Sequence, residues 1–387
     1  MPRRVYLDHA SATPLDPRVR EAMLPFISEE FGNPQSLNEA GMVAKNVVEE
    51  ARTKVADLIH TSPEEIIFTS SGSEANNTAL WGLARAQTGK GKHIILSAVE
   101  HFSVLHPARA MAEEGWEVTQ VPVDRFGRVD PSNVEQAMRK DTVLVSIQHA
   151  NSEVGTVQPI SEIGRIAREK GVVFHTDAVA TAGTLPVDVK VLNADALSLA
   201  AGMFYGPKGA AALYIRRGIR IRPLITGGIQ EGGRRAGTED VPAIVGMGRA
   251  CELAKAEMGE RNTKVRPLRD KLEKFLTETI DRLRVNGHTT ERLPGYLSVC
   301  VEYVEGETIL LTLSTQGIQA ASGSACASRA LKESHVLAAM GVPPEVAQGS
   351  LLFSLGKDSS EEDVRRAASS LPPIVARLRA MSPLYKP

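Results

Sequence analysis

EIIFTSSGSEANNTALWGLARAQTGKGKHIILSAVEH, residues 65–101, is the stretch on which the fold reading turns. It opens on a short β-branched run (65–70), passes a turn of small residues, continues as a helix from Glu74 to Ala86, and returns to an apolar run, HIILS (93–97). Neither run alternates apolar with polar, which is the pattern of a strand covered on both faces. The same rhythm recurs downstream in EVTQVPV (117–123), TVLVSIQHA (142–150), VVFHTDA (172–178), ALSLAA (196–201) and AALYIRR (211–217). Strands separated by amphipathic helices predict an α/β fold around a seven-stranded, mainly parallel sheet.

Working outward, the segment PLDPRVREAMLPFISEEF reads as an entry helix, GNPQSLNEAG as a loop, and VVEEARTKVADLI as part of a long helix. After residue 255 the texture changes. A helix (257–283) leads to YLSVCVEYV (296–304), a Gly/Ala/Ser loop around Ala320–Ala327, LLFSLG (351–356) and a closing helix. That last helix is announced by Ser359 and Ser360 followed by Glu361, Glu362 and Asp363, an N-terminal capping signature. The expected division is a large domain over 15–255 and a smaller α+β domain from 1–14 with 256–387.

The 387 residues carry a formal net charge of −1, so no global field draws the chain to nucleic acid or to an acidic membrane surface. The start, MPRRVYLDHASATP, is interrupted at once by Asp8 and His9 and does not read as a signal peptide. No apolar run approaches the roughly 18 residues of a spanning helix. Cys251, Cys300 and Cys326 are odd in number and widely spaced, which is no disulfide framework. A cytoplasmic location is the expectation.

Ligands in such sheets bind beyond the carboxyl ends of the strands. There Ser70-Ser71-Gly72-Ser73-Glu74 lets backbone N–H groups face an anion, although the same residues also make an ordinary helix cap. His101 follows HIILS, where a ring could stack on a planar cofactor; a lone strand-end histidine is more often structural. Asp177 ends VVFHTDA, where a carboxylate could pair with a pyridinium nitrogen or simply cap a helix. Taken in order, cup, ring and carboxylate describe a pyridoxal phosphate (PLP) pocket.

The segments YLDHASATP, FGNP, HANSEVGTVQ, FYGPKG, AGTEDV, SGSACAS and SPLYKP make the resemblance specific. Over nearly its whole length the chain resembles the cysteine desulfurases of the NifS/IscS type. These are PLP enzymes of fold type I, aspartate aminotransferase-like, and they form homodimers. They move sulfur from cysteine to a loop cysteine as a persulfide and pass it to an IscU-type iron–sulfur scaffold. The resemblance implies Gly72 and Ser73 at the phosphate, His101 as stacking ring, Asp177 as pyridinium partner, Thr238 as a phosphate ligand donated across the dimer, and Cys326 as sulfur acceptor.

The pattern then breaks. Where the family has Ser-x-His-Lys, whose lysine forms the Schiff base, this chain has Ala200-Ala201-Gly202-Met203. Methionine offers no amine, and Lys208 in YGPKG is a lysine that the family carries in addition to the catalytic one. By the same resemblance, Ala180 replaces a glutamine at the cofactor's phenolic oxygen, Ser152 an asparagine, Asn38 a histidine, and Leu352 the arginine that grips the substrate carboxylate. An unpartnered buried carboxylate costs about 2–5 kcal/mol, and losing a covalent nucleophile costs further powers of ten in rate.

The expectation is therefore a desulfurase-like protein inactive as a PLP enzyme, with PLP bound non-covalently or absent. Cys326 sits in a run of small residues, and an accessible thiolate there suits either sulfur carriage or ligation of a [2Fe-2S] cluster shared with the scaffold. Cys251 and Cys300 fall on apolar patterns and are expected in the core. The C-terminal helix and SPLYKP match the scaffold-docking region. Arg216, Arg217, Arg220, Arg222, Arg234 and Arg235 read first as a solvated face and second as a contact for an acidic partner. The rival reading keeps an active desulfurase with an unconventional base; a third makes the chain a structural subunit of a related enzyme.

Overall fold

The computed structural model describes residues 4–323, 334–382 and 385. Cys326 lies outside the described residues, as does most of the SPLYKP tail. In chain order, β1 (Val5–Tyr6), α1 (Pro17–Ser28) and α2 (Glu39–Leu58) precede the sheet region. There follow β2 (Ile66–Thr69), α3 (Gly72–Ala86), β3 (His93–Ser97), α4 (Phe102–Glu113), β4 (Glu117–Val121) and α5 (Pro131–Ala137). Then come β5 (Thr142–Ser146), α6 (Ile160–Glu169), β6 (Val173–Asp177), β7 (Ala196–Ala200) and β8 (Ala211–Ile215). The last third holds α7 (Val241–Thr279), β9 (Leu283–Asn286), β10 (Tyr296–Val301), α8 (Gly306–Thr315), β11 (Ile318–Gln319), α9 (His335–Ala339), α10 (Pro344–Ala347), β12 (Ser350–Ser354) and α11 (Glu361–Met381).

The seven predicted runs are the seven strands of one sheet, ordered β2-β8-β7-β6-β5-β3-β4. From β7 to β4 all neighbours are parallel; β8 alone runs against both of its neighbours. Every strand starts within a residue of expectation, but β5 stops at Ser146 and not at residue 150. The remaining residues leave the ladder, and Gln148 and Ala150 line a cavity. Both faces are covered, since Ile66, Phe68 and Ile95 enter one apolar core while Ile67, Ile94 and Leu96 enter another.

The second lobe is built on the antiparallel sheet β12-β10-β9. The N-terminal strand joins it from the side: β1 pairs parallel with β11 in a two-stranded sheet, and Asp8 bridges to Ser354 of β12. The predicted capping box is present at α11, where Ser360 accepts from the Asp363 N–H and Asp363 accepts from the Ser360 N–H at 2.9 Å.

One expectation needs correction. The stretch around Cys251 and the helix expected from residue 257 are a single 39-residue helix, α7, with no break at 255. No breaker stands there, and the helix simply changes cores. Ala243–Ala254 contribute to the core beneath the large sheet, whereas Val265, Leu268, Leu272 and Leu276 contribute to that of the second lobe. Residue 255 thus separates cores and not elements. Cys251 and Cys300 are fully buried, and burial pushes both thiols up. No helix among the described residues is long and apolar enough to cross a membrane.

Candidate active site

The turn from β2 into α3 is shaped by its own side chains. Ser71 caps the helix by accepting from the Glu74 N–H at 3.1 Å, and Glu74 reaches back to accept from the Ser70 N–H at 2.8 Å. Arg235 clamps Glu74 at 2.8 Å. Gly72 is required by close approach, because a Cβ there would lie 2.7 Å from Cγ2 of Val179. The start of α3 therefore keeps a bare Gly72 next to Val179, with Ser71 Oγ taking the Glu74 N–H.

A cavity of about 330 Å³ lies over this turn, and its wall brings together Gly72, Ser73, His101, Ser152, Asp177, Ala180, Met203 and Leu352. Residues that sequence placed on separate strand ends thus face one space. Asp177 is held by two donors, the Asn76 amide at 2.6 Å and the Val179 N–H at 2.9 Å. Burial pushes its carboxyl upward against those hydrogen bonds. Asn76 also donates to Ser103 Oγ at 2.8 Å, and Ser103 in turn donates its N–H to His101 Nδ1 at 3.1 Å. That last bond makes His101 the N-cap of α4, which fixes its ring orientation.

Several wall residues had gone unmarked in the sequence. Glu153 accepts from Ser334 at 2.5 Å, and burial pushes its carboxyl up to about 7. His335 packs its ring 4.8 Å from that of Phe102 and bonds the Glu100 carbonyl at 2.9 Å. Beneath them Glu100 is fully buried; it accepts from Ser97 and from the Gln148 N–H, and burial pushes its carboxyl up to about 8. Asn76, one turn beyond the cup on the same helix, carried a readable signal. A lone His335 after a loop carried none.

Of the degenerate positions, Ser152, Ala180, Met203 and Leu352 line the cavity. Met203 ends the 3-10 turn after β7, and Ala200 sits beside the cup, its Cβ 3.6 Å from where a Gly72 Cβ would stand. Leu352 is 3% exposed and packs with Ala150, Leu293, Tyr296 and Ala321. Lys208 donates to the Thr13 carbonyl at 2.5 Å and does not line the cavity. Among the described lining residues there is no Lys or Arg.

Two further positions lie outside this cavity. Asn38 caps α2 by accepting from the Gly41 N–H at 3.0 Å and is not part of the cavity wall. Thr238 stands on an exposed loop outside the cavity of its own chain. The basic run is partly consumed internally: Arg216 pairs with Asp195 at 2.8 Å, Arg235 with Glu74, and Arg234 bonds main-chain oxygens of Glu64 and Ile66.

The residues fit the non-covalent contacts of a ring phosphate: an open cup at a helix start, an oriented imidazole, and a buried carboxylate under an amide. They do not fit covalent attachment, because the position facing the cavity from the β7 turn is a thioether.

The sequence profile described as Aminotransferase class-V matches residues 5–367. A cysteine desulfurase IscS of Methanosarcina thermophila is 50% identical over 382 residues, covering 99% of this chain and 94% of that one. One from Dictyoglomus turgidum is 49% identical, covering 100% and 98%. Among solved structures, a NifS-like protein superposes with a TM-score of 0.91 at 38% identity, over 97% of this chain and 100% of that one.

Proposed function

The chain belongs to the class-V aminotransferase family, in its IscS/NifS cysteine desulfurase branch, and from that premise we propose that it serves iron–sulfur cluster assembly without running the PLP-dependent desulfuration. PLP, when bound in such folds, supplies an electron sink for carbon–heteroatom cleavage. Use of that sink needs a residue that holds the aldehyde and shuttles its protons. The single observation that carries the reading is Met203 in the cavity wall at the place of that amine, joined by Leu352 at the place of the carboxylate clamp.

In this reading the chain acts as a homodimer that binds an IscU-type scaffold through its second lobe and presents Cys326, either as a persulfide carrier loaded by sulfur transfer from another protein's or small molecule's persulfide, whose thiol leaves, or as a ligand to a [2Fe-2S] cargo assembled from sulfide. Dimerisation is supported by exposed apolar side chains along α1, the loop after it and α2: Leu24, Ile27, Phe31, Leu37 and Met42. Gln35 of that first loop donates to Glu239 at 3.2 Å, so it lies against the loop that carries Thr238. Docking is supported by the anchored end of α11. There Arg379 is 4% exposed and bonds Asp281 at 2.5 Å, and Tyr385 packs its ring 5.8 Å from Tyr303.

The test has two arms. The purified chain with added PLP and L-cysteine is expected to release no sulfide above the cofactor alone. Copurification with an IscU-type scaffold is expected, with a cluster spectrum that is lost in Cys326→Ser. Catalytic sulfide release, or scaffold binding indifferent to Cys326, overturns the reading. An active desulfurase is the second reading, favoured by about 50% identity to proteins that bear that name; the sulfide arm decides between them.

A further inference from the structure

The described wall of the cavity holds acids and no cation. Asp177 and Glu153 supply the carboxyls, with no lysine or arginine beside them. Lys208 and Lys357, which do not line it, are engaged on the Thr13 carbonyl and on Asp16. Asn76 in the wall is 1% exposed and spends its amide N–H groups on Ser103 and Asp177, and its Oδ1 has no donor among the described residues.

These acceptors choose between ring phosphates. An aldehyde that no amine captures presents a carbonyl oxygen, an acceptor set among acceptors. An aminomethyl group presents an ammonium, which donates hydrogen bonds and offsets the buried negative charge. An amino acid's own carboxylate finds no mate, since the wall near Leu352 is Ala10, Ala150 and Ala321. At about 330 Å³ the cavity is at the small end of ligand sites.

We propose that the cavity selects the amine form of the cofactor, pyridoxamine 5′-phosphate, over the alcohol and aldehyde forms and over amino-acid adducts, with the phosphate at Ser71–Ser73 and the amine served by Glu153. This rests on the reading that the pocket descends from a PLP site and no longer captures an aldehyde.

The experiment is titration calorimetry of the full chain with pyridoxamine 5′-phosphate, pyridoxine 5′-phosphate, PLP and inorganic phosphate. The amine is expected to bind at least about tenfold tighter than the alcohol, which matches it in shape and lacks the charge. Glu153→Gln is expected to shrink that advantage to threefold or less while inorganic phosphate binds as before. Leu352→Arg, which places a cation in the wall, is expected to shrink it independently should the first variant fold poorly. Equal binding of amine and alcohol, or no binding of either, overturns the selectivity and leaves the scaffold reading standing. A borohydride-reducible PLP adduct confined to the cavity overturns both.

Discussion

Lys208 donates to the main-chain oxygen of Thr13 at 2.5 Å, and Thr13 donates through both its N–H and its hydroxyl to the oxygen of Gly202, each at 3.0 Å. The turn that presents Met203 is thereby held from outside the cavity. Gly202 also has space, its nearest neighbour to an added Cβ being Lys208 Cγ at 3.7 Å. Met203→Lys should therefore deliver an amine to the cavity with no rebuilding of the backbone. Borohydride reduction with PLP is expected to give one covalent adduct at residue 203 by mass spectrometry. Met203→Lys with Leu352→Arg is expected to release sulfide from cysteine at least tenfold faster than the lysine variant alone. Absence of an adduct would show that the pocket has lost more than its nucleophile.

Glu100 sets a pH dependence. Its carboxyl sits at about 8 in the folded chain against an ordinary 4.5, so the folded state keeps a proton that the unfolded chain releases. Stability then falls as pH rises from about 4.5 to 8 and is level above that. Glu100→Gln keeps an acceptor for Ser97 and for the Gln148 N–H and removes the ionisation. Denaturant unfolding at pH 5 and pH 8.5 is expected to show a smaller drop for the variant, by on the order of 3 kcal/mol. An unchanged drop would mean that Glu100 ionises freely.

Gly72→Ala forces a methyl group against Val179 Cγ2 at 2.7 Å. The expected loss is about 1–3 kcal/mol, together with weaker binding of inorganic phosphate at the cup. Val179→Ala on the same chain should recover part of the stability, because the two changes meet at one contact and cannot add. Strict additivity of the two melting shifts would contradict this account.

Glu231 carries both oxygens to Arg52, at 2.7 and 2.8 Å, and also accepts the Phe68 N–H at 2.9 Å. Both side chains are buried. Glu231→Gln leaves Arg52 with Glu49, at 3.2 Å, as its remaining carboxylate and is expected to cost about 2–4 kcal/mol. Replacing Arg52 and Glu231 together by Met and Leu should cost much less. Thermal unfolding of the single and double variants decides it.

The strands were legible because their apolar runs are long and sealed by Gly or Asp turns, as in HIILS and VVFHTDA. The cavity wall was legible wherever a residue stood at a strand end, as with Asp177 and Met203. Glu153 and His335 were not, since each reaches the wall from a loop whose path depends on the packing of a second lobe. Residue 255 misled for a different reason: composition changes there because α7 passes from one core to the next, while its backbone has no cause to stop. Asn38, read through resemblance as a lost site residue, has a local use that any asparagine before Glu39 would serve.

That uninterrupted rod of 39 residues is about 58 Å long at 1.5 Å per residue, and each lobe grips one end of it. Severing the chain at 255 would leave two fragments, each with a frayed half-helix and a greasy stripe in water. A single helix thus ties the two cores together, so unfolding of one half of α7 should be felt in both.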